Sequence, residues 1–142
     1  MASITSINSV YVLSVAGVIF PTQLQGFSAD DIFSTDPLEV KEVVMGVDGR
    51  LSAGRVNVAA KQGISIQADS PSIQIFEIWN AAERVVKDTY FADATISFPS
   101  IGRKYACSNG VLTTYPLLSD AGKTLKVRRF AIVWESITPA VM

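Results

Sequence analysis

The chain has 142 residues, a length that suits one domain around a single hydrophobic core. Hydrophobic residues make up 49% of it and charged residues only 18%, which excludes intrinsic disorder, collagen and coiled coils. The net charge is −1 and there is no histidine, so catalytic triads of the Ser-His-Asp kind and imidazole-bound metals are excluded.

The first half of the chain has the patterns of β-structure. Val10–Val15 is apolar on both faces and rich in β-branched residues, which predicts a buried strand. Residues 28–37 carry the Ser, Asp, Thr and Pro of a surface loop. An imperfectly alternating run over residues 38–47 ends at Asp48-Gly49, a dipeptide suited to a two-residue hairpin turn. Residues 51–68 are predicted to hold the returning strand and one more.

One helix is predicted over residues 71–87. Asp69 and Ser70 supply a cap, and Pro71 occupies the first turn, where its missing N–H costs nothing. Apolar residues then recur at helical spacing without an intervening Gly or Pro. The aromatic residues predicted to form the core are Phe76, Trp79, Phe130 and Trp134.

The remaining residues return to strand patterns. Asn109-Gly110 lies between alternating runs and predicts a second hairpin turn. The last strand is predicted over residues 124–135, and its alternation slips at Arg128-Arg129, which indicates a bulge. We therefore predict that residues 1–142 form one mainly β domain, an antiparallel β-sandwich or barrel of about eight strands with one flanking α-helix over residues 71–87.

No pattern in the sequence predicts enzymatic chemistry, a cofactor or a metal. Cys107 is the single cysteine, so no disulfide or cysteine metal site can form within the chain, and its thiol has no histidine to activate it. Nucleotide-binding and catalytic motifs are missing. The neighbouring acids Asp30 and Asp31 lie in a polar loop, which favours solvated carboxylates over a catalytic pair. We predict no catalytic, cofactor-binding or metal-binding residues.

The hydrophobic residues form no run long enough for a helix that spans a membrane. The longest run, residues 10–20, falls well below the about 20 residues of a spanning helix, and no basic residue precedes it as in a secretory signal. Neither membrane insertion nor secretion is predicted. The surplus of hydrophobic residues then belongs to a core together with either subunit contacts or a ligand cavity.

Charge is distributed unevenly along the chain. Residues 1–49 carry six acids and one lysine, a net of −5, whereas residues 103–142 carry six bases and two acids, a net of +4. Five acids balance five bases in between. An acidic surface meeting a basic surface of the next copy favours head-to-tail association. The alternatives are a dipole without a function and, less favoured because the chain is not basic overall, nucleic-acid binding.

Five stretches lie in a distinctive order along most of the chain. They are Leu24-Gln25-Gly26-Phe27, Asp30-Asp31-Ile32-Phe33, the run from Glu42 to Ser52, Asp69-Ser70-Pro71-Ser72 and the closing segment Arg128 to Ser136. In their order and spacing they resemble the small-subunit tail tube proteins of long-tailed bacteriophages, a family that shares its architecture with the tube subunits of type VI secretion systems.

The resemblance implies a structural role in the virion, with assembly in the host cytoplasm. Such subunits form hexameric rings that stack into a tube, through which the genome passes at ejection without sequence-specific DNA binding. The implied partners are further copies of the chain and tail sheath, tape measure and baseplate proteins. A loop or hairpin extends to the neighbouring ring. The residues expected at subunit and ring contacts are Asp30, Asp31, Phe33, Val47, Asp48, Gly49, Arg50, Arg128 and Arg129.

Three alternatives remain open at this point. One is a tube-initiating baseplate ring protein of the same fold. Another is a monomeric or dimeric β-barrel that binds a small apolar ligand in an interior cavity. The third is a hydrolase that uses the loop acids Asp30 and Asp31.

Overall fold

Antiparallel strands account for most of the regular structure. The computed structural model describes residue 3 and residues 8–27 and 32–141. In chain order, the elements of this part of the chain are β1 (Val10–Val15), β2 (Ile19–Gln23), β3 (Phe33–Thr35), β4 (Lys41–Met45), β5 (Leu51–Arg55), β6 (Ala60–Ile66), α1 (Ile73–Val86), β7 (Ala92–Phe98), β8 (Arg103–Thr114) and β9 (Arg128–Ala140).

Seven of the strands form one antiparallel sheet in the order β2-β1-β7-β8-β9-β6-β3, and β4 and β5 form a separate two-stranded ribbon. The prediction of a mainly β fold with one helix is confirmed. The short strand β3 lies within the segment predicted to be a loop, where it pairs with β6. Residues 28–31 of that loop lie outside the described residues.

A buried amide shows that the large sheet curls around its core. The hydroxyl of Tyr11 on β1 donates to Oε1 of Gln62 on β6 at 2.7 Å, although three strands separate β1 from β6 in the sheet order. The indole Nε1 of Trp134 on β9 donates to the same oxygen at 3.1 Å, and Nε2 of Gln62 donates to Oγ1 of Thr35 on β3 at 3.3 Å. Each polar group of this buried network therefore has a partner.

The helix covers the core as its apolar stripe predicted. Phe76 stacks on Phe130 of β9 with ring centroids 4.2 Å apart, and Trp79 Nε1 donates to the carbonyl of Tyr90 at 3.2 Å. The four predicted core aromatics are all at most 1% exposed, so that prediction is confirmed. The helix itself begins later than predicted, after Ser72, whose side chain makes no capping hydrogen bond.

The predicted cap of the helix serves a different purpose. Ser70 Oγ donates to the carbonyl of Gln25 at 2.5 Å and accepts from the amide of Ser72 at 3.2 Å. Ser72 Oγ in turn accepts from the amide of Gln25 at 2.6 Å. These serines attach the segment after β2 to the start of the helix, a long-range contact that local sequence does not reveal.

The predicted hairpin at Asn109-Gly110 is wrong. Both residues lie inside β8, where Asn109 has a φ of 50° and the pairing with β7 shifts by a residue, which is a β-bulge. The chain turns instead at residues 99–102, where Gly102 has a φ of 65°. Gly110 is needed because Trp134 covers it: a Cβ at this position would lie 2.5 Å from Trp134 Cε3.

The last strand also differs from its prediction. It begins at Arg128 and continues to Ala140, and its pairing with β6 is unbroken from Arg128 to Trp134, so no bulge lies at Arg128-Arg129. The alternation slipped because Arg128 points inward with Phe130, where a lysine or arginine is not expected. The pairing of β8 with β9 is irregular between Leu112 and Thr114 on β8, opposite Ile132 and Ala131 on β9.

Candidate assembly interface

The ribbon of β4 and β5 stands apart from the large sheet, and we call Lys41–Arg55 the arm. Its strands pair from Lys41 with Arg55 to Met45 with Leu51, and neither strand joins the ladder of the other seven. Every residue of both strands is exposed. A bond from the amide of Val56 to the carbonyl of Val40, 2.9 Å long, holds the two ends of the arm together.

The arm exposes apolar side chains on both of its faces. The exposed fraction is 59% for Val43, 61% for Val44, 64% for Met45 and 61% for Leu51, and Val47 at the turn is fully exposed. Because successive residues of a strand point to opposite faces, no single packing of the arm on its own sheet would cover them all. Contiguous exposed apolar surface of this kind marks a site of interaction.

The tip of the arm has the predicted position but a longer turn. The amide of Gly46 donates to the carbonyl of Arg50 at 2.8 Å and the amide of Gly49 to the carbonyl of Gly46 at 3.0 Å, which leaves three residues in the loop instead of two. Gly49 has a φ of 82°, as such a loop requires. Asp48 Oδ1 accepts from the amide of Arg50 at 3.1 Å, and their exposed side chains lie 3.9 Å apart. The tip residues thus form a defined, solvent-exposed turn.

The segment that leads into the arm, residues 36–40, is acidic and apolar; we call it the stem. It carries Asp36 and Glu39 and no base, and its Leu38 and Val40 side chains are exposed. The amide of Asp36 donates to the carbonyl of Lys61 at 2.9 Å, which places the stem beside the start of β6.

Of the two arginines on β9 that were predicted at an interface, Arg128 is buried and Arg129 is exposed. Nη1 of Arg128 donates to Oε1 of Glu77 on the helix at 3.0 Å, and Nη2 donates to the carbonyl of Pro116 at 2.5 Å. Its guanidinium also lies 5.5 Å from the ring centroid of Tyr115. Arg128 therefore joins the helix, β9 and the segment after β8 within one chain.

That segment and the first two residues of β9 form a second surface, residues 116–129, which we call the shelf. Leu117, Leu118 and Leu125 are 80%, 71% and 63% exposed. A cavity of about 660 Å³ opens between its two ends. The sequence pattern predicts strands over residues 111–118 and 124–135 with a turn over residues 119–122 between them. In the structure β8 ends at Thr114 and β9 begins at Arg128, so the predicted strands are shorter on both sides of the turn.

The other predicted contact residues lie elsewhere. Phe33 is half-buried in an aromatic cluster, with its ring centroid 5.6 Å from that of Tyr11 and 5.9 Å from that of Phe98. Asp30 and Asp31 lie outside the described residues. The structure thus brings Val47, Asp48, Gly49 and Arg50 together at the tip and separates them from Phe33, Arg128 and Arg129. A role of these residues in contacts between subunits stays a prediction.

An apolar cavity of about 400 Å³ lies at the base of the arm. The polar residues that line it are Thr35, Gln62, Tyr105, Glu135 and Ser136. Its apolar walls come from both sides of the curled sheet and from the flanks of the arm: Phe33, Leu38, Val58, Ile96, Phe98 and Ile137.

The chemistry of the described residues offers little reactivity. Cys107 is 3% exposed, and burial raises the pKa of its thiol to about 11, so the thiolate is scarce at neutral pH. Among residue 3 and residues 8–27 and 32–141, no three acidic or cysteine side chains lie close enough to hold a metal ion. The helix in this part of the chain is too short to cross a membrane.

A family model described as tail fiber protein gp32 matches residues 2–138, nearly the whole chain, so the chain belongs to that family. It is a structural protein of the phage-tail kind. No curated protein sequence matches it.

Solved structures of contractile injection systems contain chains of similar fold. A chain of the anti-feeding prophage baseplate, solved with 6-fold symmetry, superimposes with a TM-score of 0.60 at 13% identity, over 99% of this chain and 97% of that one. A chain of the sheath/tube terminator of the extracellular contractile injection system PVC superimposes with a TM-score of 0.59 at 12% identity, over 99% of both chains. A chain of the tube-terminating cap of the anti-feeding prophage superimposes with a TM-score of 0.58 at 12% identity, over 100% of this chain and 93% of that one. At such low identity the likeness concerns the fold.

Proposed function

We propose that the chain is a ring-forming subunit of a phage tail, placed in the tube or at one of its ends, and that its arm contacts a neighbouring copy. The arm is the observation that carries this proposal. Its apolar side chains are exposed on both faces, and a monomer in solution offers nothing to cover them.

Physical chemistry favours burial of the arm against another subunit. A two-stranded hairpin alone is marginally stable in water, since it buries little apolar surface on either face. The arm also has two unpaired strand edges, which recruit further chains unless they are covered. A neighbouring subunit that receives the arm would bury its valines and leucine and protect its edges at once.

The similar chains support a ring near the tube. They come from a 6-fold symmetrised baseplate, a sheath/tube terminator and a tube cap, so one fold serves several positions along these particles. We propose six copies to a ring, partners among the sheath, tape measure and baseplate proteins, and a lumen through which DNA passes without sequence-specific contacts. The proposal includes location in the virion after assembly in the host cytoplasm, and it assigns the chain no catalytic step.

The arm can be removed with little strain, which gives a direct test. Because Val56 and Val40 are hydrogen-bonded at 2.9 Å, residues 41–55 can be replaced by an Asn-Gly turn between them. Sedimentation velocity and negative-stain imaging should show rings or stacked rings for the native chain and smaller species for the shortened one. Near-ultraviolet circular dichroism should be unchanged, since the core aromatics lie outside the arm.

A matched pair of point variants separates the apolar contact from the hairpin itself. Val44→Thr keeps a β-branched strand residue but adds a hydroxyl to an exposed apolar position, and it should weaken assembly. Ser52→Thr, at the paired position on β5, makes the same face of the arm slightly more apolar and should leave assembly unchanged. A native chain that remains monomeric at high concentration in moderate salt would refute the proposal.

The cavity at the base of the arm supports a second candidate function, binding of a small apolar ligand. Its volume of about 400 Å³ lies in the range of known ligand sites, about 300–1,000 Å³, and a few polar groups face its apolar walls. Under this alternative the chain is a monomer or dimer. Ile137→Trp would fill the cavity and abolish binding of an apolar fluorescent probe, whereas removal of the arm's apolar side chains would not.

A further inference from the structure

We propose that the stem of one copy docks on the shelf of a second copy that has the same orientation. The inference rests on the proposed function, because it names the surface through which successive copies meet. The stem is residues 36–40 and the shelf is residues 116–129.

The register of β6 and β9 places the two surfaces at opposite ends of the sheet. The stem lies beside Lys61 at the start of β6, whereas the shelf ends at Arg128, which pairs with Ile66 at the end of β6. The five steps from Lys61 to Ile66, at about 3.3 Å each, separate the two ends by roughly 17 Å. Stem and shelf therefore meet only between copies, and a shift along the strands brings the stem of one to the shelf of the next. Such a heterologous contact repeats from copy to copy.

The charges of the two surfaces are opposite. The stem carries Asp36 and Glu39 and no base, a net of −2. On the shelf Arg128 is neutralised by Glu77, which leaves three bases against Asp120, a net of +2. The three are Lys123, Lys126 and Arg129; all are exposed, and none belongs to an ion pair among the described residues. Opposite charge fixes orientation and speeds association.

Both surfaces also expose apolar side chains that the contact would bury. The stem presents Leu38 and Val40, and the shelf presents Leu117, Leu118 and Leu125. An apolar centre surrounded by polar and charged groups is the usual arrangement of protein interfaces.

The shelf is already ordered before any partner arrives. Arg128 donates to the carbonyl of Pro116 at 2.5 Å, and the amide of Lys126 donates to the carbonyl of Asp120 at 2.8 Å, so both ends of the segment are fixed. A preformed surface loses less conformational entropy on binding. Arg128 is thus a positioning residue for the shelf, while the exposed Lys126 and Arg129 are the bases that meet the partner.

Charge reversal tests the pairing because the two variants can be mixed. The stem variant Asp36→Lys/Glu39→Lys has a basic stem and a basic shelf. The shelf variant Lys126→Glu/Arg129→Glu has an acidic stem and an acidic shelf. In about 0.1 M salt, where charges are screened beyond about 10 Å, sedimentation velocity should show each variant alone associating about tenfold more weakly than the native chain. An equimolar mixture should associate as the native chain does, since each stem then finds a shelf of opposite charge.

Arg103→Glu/Lys104→Glu is the matched control, because it makes the same change of charge at the opposite end of β9. It should associate as the native chain does. The inference is overturned if the native chain assembles and the two variants assemble equally well, if their mixture shows no recovery, or if the control weakens assembly as much as the shelf variant. A native chain that does not assemble contradicts the proposed function itself.

Discussion

The side-chain amide of Gln62 joins four strands of the curled sheet. Replacement of Gln62 by leucine keeps a side chain of similar volume and should destabilise the fold. The amide oxygen accepts from Tyr11 at 2.7 Å and from Trp134 at 3.1 Å, and the side chain is 1% exposed. Gln62→Leu removes that acceptor, so a phenol and an indole N–H lose their partner in the core.

The magnitude follows from the number of donors left without a partner. Each buried, unsatisfied donor costs about 1–3 kcal/mol, so two cost about 4 kcal/mol. Burial of a leucine side chain returns about 2 kcal/mol. We therefore expect Gln62→Leu to lower the free energy of unfolding by about 2 kcal/mol, a large part of the about 5–15 kcal/mol of an ordinary domain.

Tyr11→Phe should change stability in opposite directions in the native chain and in the Gln62→Leu variant. Tyr11→Phe alone loses one hydrogen bond and should cost about 1 kcal/mol. In the Gln62→Leu background it removes an unsatisfied hydroxyl and should instead restore about 1 kcal/mol or more. Urea denaturation with linear extrapolation measures this double-mutant cycle, with the native chain, the two single variants and the double variant at one protein concentration. If the double variant is less stable than Gln62→Leu, or the two costs simply add, the buried network does not stabilise the fold in the way described.

Three further predictions concern single positions. Gly110→Ala should lower the free energy of unfolding, measured by heat or urea, by about 1–3 kcal/mol because the new methyl group meets Trp134. Gly54→Ala, with open space around it, should have no comparable effect, and equal losses of stability would contradict the close contact. Burial raises the pKa of Cys107 from 9.0 to about 11, so the stability that comes from its neutral thiol is complete below pH 9 and is lost as the pH rises towards 11. Cys107→Ser should reduce this loss of stability at alkaline pH, and an unchanged pH profile would exclude the thiol as its cause. Gly49→Ala places a side chain at a φ of 82° and should weaken both the hairpin and assembly, detectable by sedimentation velocity, whereas unchanged assembly would show that the turn geometry is not required.

Part of the proposed assembly surface was visible in the sequence because hairpin turns are encoded locally. Asp48 and Gly49 gave the position of the arm's tip without any knowledge of the rest of the fold. The shelf was missed because its leucines continue an apolar strand pattern, and only the end of β8 at Thr114 leaves them in solvent.

Local pattern alone determined the fold class, the helix with its buried aromatic face, the strand Val10–Val15 and the hairpin of the arm. These features depend on residues a few positions apart, so their periodicity and turn chemistry suffice. The same local signals failed at Asn109-Gly110 and at Arg128. A ring of Trp134 covers Gly110, and Glu77, fifty-one residues away, neutralises Arg128 in the core. Only the tertiary structure decided that this Asn-Gly lies in a bulge and that this arginine points inward, because in each case the deciding partner is distant in the chain and close in space.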